Sequence, residues 1–126
     1  MQHPSVMSRA GLRGLRRSLG LTVRALATAM QTTPRTVHGW ERGDRPISRE
    51  NARLLAALAA YTDSVVDRLA AEDPILTYET DDEIRGVDTG GWMLTADWHQ
   101  AAAWRASERT GARIVYSDRP DAPAPP

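Results

Sequence analysis

Apolar positions along this chain follow two rhythms. From residue 9 to about residue 72 they recur every three or four residues, the period of a helix packed on one face; beyond Pro74 they fall into short alternating runs. Leu12, Leu15 and Leu19 share a face of a first helix expected from Arg9 to Leu19, with Gly20 ending it. Leu26, Ala27 and Met30 repeat on a second helix, and Val37 and Trp40 on a third. Thr22 and Thr33 are each suited to N-cap a helix. Pro34 follows Thr33 at the first helical position, where its missing N–H costs nothing, and Gly43 is placed to close the third helix. Residues 44–47 read as a loop, after which Ser48 can cap a long helix from Arg49 to about Glu72. Leu55, Leu58, Thr62, Val65 and Leu69 advance along it by alternating steps of three and four, the rhythm of a helix–helix seam. Such a stripe is longer than a four-helix unit needs. It packs either on the first three helices or on a second copy.

Past Pro74, Ile75 to Glu79 alternates and carries Ile, Thr and Tyr, so a short strand is expected there. Thr80 to Gly91 is acidic and glycine-bearing, with room for a turn of helix. Thr95 can cap a helix from Ala96 to Thr110, with Asp97 favourable in its first turn and Gly111 as terminator. Trp98, Ala101, Ala102 and Trp104 give that helix an aromatic, alanine-rich face, and Ile114 to Tyr116 reads as a second strand. Two short strands make no stable isolated sheet, and a strand–helix–strand piece is too small to hide three tryptophans alone. Both deficits vanish if two copies combine. The expected fold is therefore mainly α, α+β overall: a four-to-five-helix N-terminal domain over residues 8–72, then a dimerisation appendage over residues 73–116. Val65, Leu69, Ile75, Tyr78, Trp92, Trp98, Trp104, Ile114 and Tyr116 are the residues expected to form the dimer contact. Residues 1–7 and the Pro-rich 117–126 are expected to be disordered.

Charge sharpens this division. The formal net charge is zero, yet residues 1–49 hold nine Arg against Glu41 and Asp44, and residues 50–126 hold seven Arg against fourteen acids. A basic first half and an acidic second half suggest a phosphate-facing module with a remainder that avoids phosphate. Every basic residue is Arg, which the codon bias of a GC-rich genome explains equally well. With no Cys there is neither a disulfide framework nor a thiolate metal site. No apolar run approaches the length of a membrane span, and the start lacks the character of a signal peptide, so a cytoplasmic protein is expected.

The stretch from Leu21 to Gly43 carries a specific pattern: Leu21-Thr22, Leu26-Ala27, Met30, Thr33, Thr36-Val37, then Trp40-Glu41-Arg42-Gly43. It resembles, without gaps, the helix-turn-helix of the lambda-repressor and Cro-like family. Two departures stand out: Gln31 occupies the usual turn glycine, and Thr32 an apolar turn position. Gln adopts positive φ only at a steric cost, so a slightly reshaped turn is expected. The Pro74-Ile-Leu-Thr-Tyr78 run, and Gly91-Trp92-Met-Leu-Thr95 leading into the Ala- and Trp-rich helix, are similar to the anti-CRISPR-associated (YdiL-like) autorepressors.

The first resemblance implies a second motif helix lying in the major groove of double-stranded DNA, with residues near its start meeting base edges. Position by position, that role falls to Pro34, Arg35, Thr36, His38 and Gly39. Arg35 is suited to bond bidentately to guanine, or failing that to a phosphate. His38 could donate to a purine N7 or stay a surface residue, while Gly39 would leave one base-facing position empty. Thr22, Arg24, Thr33, Arg42 and Arg45 are candidates for phosphate contacts. The resemblance also implies a structural ion pair between Arg16 and Glu41. No phosphate loop, zinc-protease motif or nucleophile elbow is present, so an enzyme, a metal and a cofactor are not expected. His99 has no evident ligand partners. The reading is a homodimeric repressor of an inverted-repeat operator, with autoregulation implied by the autorepressor resemblance. Two alternatives use the same face: an antitoxin holding a toxin protein, and an RNA-binding translational regulator.

Overall fold

The computed structural model describes residues 8–117; the expectations for residues 1–7 and 118–126 lie outside the described residues. Among the described residues six helices and two strands follow in order: α1 Arg9–Ser18, α2 Val23–Ala29, α3 Pro34–Arg42, α4 Arg49–Leu69, β1 Ile75–Thr77, α5 Asp81–Ile84, α6 Ala96–Thr110 and β2 Ile114–Tyr116. The fold is mainly helical with a small two-stranded sheet.

Each long element starts where a side-chain oxygen can satisfy an amide that the first turn leaves free. Thr22 accepts from Ala25 N, Thr33 from Thr36 N, Ser48 from Asn51 N and Thr95 from Trp98 N. Gly43 and Gly111 end α3 and α6 in the left-handed conformation. Helix α4 stops at Leu69, short of the expected Glu72, because Ala71 N and Glu72 N turn to the carbonyls of Arg68 and Leu69, tightening the last turn. Strand β1 ends at Thr77, two residues before the expected Glu79. The acidic segment does contain a turn of helix, α5, held by a capping box between Thr80 and Glu83.

One hydrophobic cluster runs from Leu12, Leu26 and Val37 through Leu55, Leu58 and Val66 to Ile75, Trp98 and Ala106, continuous across the expected boundary at residues 72 and 73. Helix α6 lies along α4. Trp98 is buried there, its Nε1 donating to Thr62 Oγ1 at 3.0 Å, and its ring stacks on Tyr61 at 6.1 Å between centroids. Two ion pairs keep the helices in step: Arg105 to Asp63 at 2.8 Å and Arg109 to Asp67 at 2.6 Å. The same helix crosses the α1–α2 turn so closely that a Cβ on Gly20, which has φ +68°, would sit 2.8 Å from Ala101 Cβ and Asp97 O. Strands β1 and β2 pair in parallel, Ile75 with Ile114 and Thr77 with Tyr116, as the long helical connection between them requires. Beneath them His99 Nδ1 and Thr77 Oγ1 share a buried hydrogen bond of 2.8 Å.

This packing corrects part of the expected dimer contact. Val65, Leu69, Ile75 and Trp98 are buried inside one chain, none more than 6% exposed, and have no surface to offer a second copy. The expectation treated residues 73–116 as a piece that must find its own cover. The second half of α4 supplies that cover within the chain, so the seam counted along α4 is closed by α6. Tyr78, Trp92, Ile114 and Tyr116 are half-buried, and Trp104 stands 61% exposed.

Candidate nucleic-acid interface

Helix α3 is packed through Val37, which is fully buried, and Trp40, which is 5% exposed. At a helical period these two residues leave Arg35, His38 and Arg42 on the opposite side, and all three are exposed. The turn that aims α3 away from α2 passes through Gln31 at φ +57°, so the chain keeps the left-handed conformation of the usual glycine with a residue that resists it. Thr32 N then closes back on Ala27 O at 2.9 Å.

A buried charge fixes α3 to α1. The Glu41 carboxylate, 1% exposed, receives Arg16 Nε at 2.8 Å and Arg16 Nη2 at 3.0 Å, a two-pronged contact. Arg16 Nη1 also donates to Leu21 O at 3.0 Å, tying in the entry to α2. Arg13 Nε adds a third bond to Glu41 at 3.1 Å. Burial raises the Glu41 pKa, but the bonds and charges of Arg16 and Arg13 outweigh it and hold the carboxyl below its ordinary range. At the far end of α3, Arg9 Nη1 donates to Arg42 O at 2.9 Å. The sequence reading named Arg16 and Glu41 without Arg13 and Arg9. The three-residue spacing of Arg13 and Arg16, which places both on one helix face, was the signal for the former.

The expected base-reading and phosphate-binding residues fall in two groups. Arg35, His38, Gly39, Arg42 and Arg45, with Asp44, line a cleft of about 500 Å³ on the outer side of α3. Pro34 and Thr36 lie half-buried on the first turn beside it. Thr33 and Thr36 are turned toward one another, their hydroxyls 3.0 Å apart, so Thr33 Oγ1 is engaged in capping. Thr22 and Arg24 are exposed at the start of α2 and face another groove, shared with Asp81, Arg85, Trp92 and Met93. Gly39 is buried, which corrects the expectation of an empty base-facing position: Arg45 lies across it, its Cγ 3.0 Å from where a Cβ would be.

Four arginine and histidine side chains thus stand on the outward side of a short helix whose own N-terminus is capped by Thr33. That arrangement can accept polyanionic backbone and present hydrogen-bond donors to base edges. Among the described residues no helix is long and apolar enough to cross a membrane. Residues 12–61 match the family described as Helix-turn-helix, a span that takes in α1 from Leu12 onward, all of α2 and α3, and α4 as far as Tyr61. No curated protein matches the chain. The matched span supports a DNA-binding transcription regulator.

Proposed function

We propose that this regulator is a homodimeric, sequence-specific repressor that binds an inverted-repeat operator and acts on its own promoter. The observation that carries the DNA-reading part is the exposed basic side of α3, with Arg35 and His38 exposed at its surface while Glu41 on the other side is locked to Arg16. In this reading Arg35 bonds a guanine, His38 and Thr36 flank it, and Thr22, Arg24 and Arg42 hold phosphates. Two copies of α3 then enter successive major grooves about 34 Å apart, which makes the operator an inverted repeat.

The second copy docks on the open side of the β-unit. Trp104, Ile114 and Tyr116 line a shallow groove there with Thr77 and Gln100. A two-strand sheet with unpaired edges and a tryptophan 61% exposed at its side is a surface suited to self-association. Autoregulation follows from an expression logic in which occupancy tracks protein concentration, and it is the simplest circuit for such a repressor.

Fluorescence anisotropy on duplex DNA from immediately upstream of the gene, against a scrambled duplex, tests the proposal. The native duplex is expected to bind at least about a thousandfold more tightly, and Arg35→Ala to remove that margin. Equal, weak binding of both duplexes would sink it.

A further inference from the structure

Arg45 follows α3 in the chain, in the loop before α4, and a loop arginine beside a groove-facing helix is ordinarily a phosphate clamp. Here its side chain lies back along α3. Its backbone N–H is tied to Gly39 O at 3.3 Å, alongside Asp44 N at 2.9 Å, which fixes the loop against the outer side of α3. From there the stem runs over Gly39: the three atoms nearest to a Cβ built on Gly39 are Arg45 Cγ, Nε and Cδ, at 3.0, 3.2 and 3.3 Å. The guanidinium ends near Thr36, with Arg45 Nη1 3.5 Å from Thr36 Oγ1. Thr36 is on the first turn of α3, the end that meets base edges in this docking mode. The loop therefore carries a guanidinium back along the helix, over the one position without a side chain, into the cleft shared with Arg35 and His38.

We propose that Arg45 is a second base-reading residue, a loop-borne arginine seated on Gly39 that takes the place of a side chain from the recognition helix. This rests on the reading of α3 as a major-groove helix. Its target is the acceptor pair of a guanine, O6 and N7, which a planar guanidinium matches with two parallel bonds. Gly39 then has a positive role: it is the space through which Arg45 reaches the groove. Nothing in the backbone demands glycine there, since φ is not in the left-handed region; the three atoms closest to a Cβ all belong to the Arg45 side chain, which a larger residue would displace.

The test is selection of bound sequences from a duplex pool randomised over about two helical turns, with wild type, Arg35→Ala, Arg45→Ala and Gly39→Leu. Wild type should enrich a site in which one guanine per half depends on Arg35 and a different one on Arg45. Arg45→Ala should erase the second preference, a change of roughly 5- to 150-fold between the preferred base and the others at that pair. Gly39→Leu keeps every charge but fills the space under Arg45, so it should lose the same preference while leaving the salt dependence of binding to random duplex unchanged. Persistence of the Arg35-dependent guanine in both variants shows that α3 is folded and docked. The proposal is overturned if Arg45→Ala weakens all sequences evenly, lowers the salt slope by about one and leaves the selected site intact, the behaviour of a phosphate clamp. If wild type enriches nothing, the repressor reading fails with it. If only the Arg35 position responds, that reading stands and Arg45 alone is wrong.

Discussion

Gln31 holds a conformation, φ +57°, that glycine reaches freely and an L-residue with a Cβ does not. Its side chain is exposed, so nothing in the core depends on it. Gln31→Gly removes the steric cost while adding backbone freedom to the unfolded chain, and the difference should favour the folded state by about 0.5–1 kcal/mol. Urea denaturation of the two proteins measures it; a lower midpoint for the glycine variant would mean that the turn is not strained. Glu41 behaves in the opposite way, because its cost appears when it is altered. Glu41→Gln leaves Arg16 and Arg13 facing a neutral amide in a site where the carboxylate was 1% exposed. A loss of about 3–5 kcal/mol is expected, as for other broken buried pairs. A variant that unfolds at the wild-type midpoint would show that the clamp holds nothing. The sequence exposed both residues, Gln31 by standing where a turn needs glycine and Glu41 through its place after Trp40 in the motif.

Elements with a chemical punctuation mark were readable residue by residue. Thr95 and Gly111 bracket α6 over Ala96–Thr110 in the structure, and Ile114–Tyr116 is the second strand, as the capping and β-branched residues indicate. What the sequence left open was the partner of each face. An apolar stripe of helical period says that a surface is buried and leaves unsaid which element covers it, so the seam of Leu55, Leu58, Thr62, Val65 and Leu69 fitted a second copy as well as α6. The one local hint lay in polar residues placed on apolar faces. Thr62 is buried because it accepts from Trp98 Nε1, and His99 because it bonds Thr77, and each pair joins elements far apart in the chain. The β1–α6 contact through His99 also makes stability depend on pH. Burial, and then the charge of Arg68, lower its pKa from 6.5 to about 4, so the folded protein keeps His99 neutral where the unfolded chain is protonated. Between those values the unfolded state binds more protons, so stability is complete above about pH 6.5 and falls as the pH drops toward 4. Wild type should lose about 2 kcal/mol between pH 7 and pH 5, and His99→Gln should lose much less. Equal slopes for the two proteins would show that His99 is not the titrating group; the Glu41 carboxyl, held low, acts only at more acid pH.

At the scale of the whole molecule the charge division acquires a direction. Arg35, Arg42 and Arg45 of the first half gather on the outer side of α3, and acids such as Asp63 and Asp67 in the second half are engaged by Arg105 and Arg109 between α4 and α6. DNA and a second copy therefore have separate surfaces to use: the cleft of Arg35 and Arg45, and the β-unit flank around Trp104, Ile114 and Tyr116. If that flank joins two copies, then altering it should change DNA binding without touching α3, because a monomer reads one half-site and loses the gain of tethering the second. Trp104→Glu is the sharp variant. The side chain is 61% exposed, so the substitution leaves the core of one chain intact and places a charge in the middle of the proposed contact. Sedimentation velocity should show wild type as a dimer and Trp104→Glu as a folded monomer with an unchanged melting profile at low concentration. On an inverted-repeat duplex the variant should bind at least about a hundredfold more weakly, and on a single half-site equally well. A variant that remains dimeric places the symmetric contact elsewhere on the molecule. A wild type that is monomeric at the concentrations where it binds removes the inverted repeat from the account, leaving a regulator that reads one groove at a time.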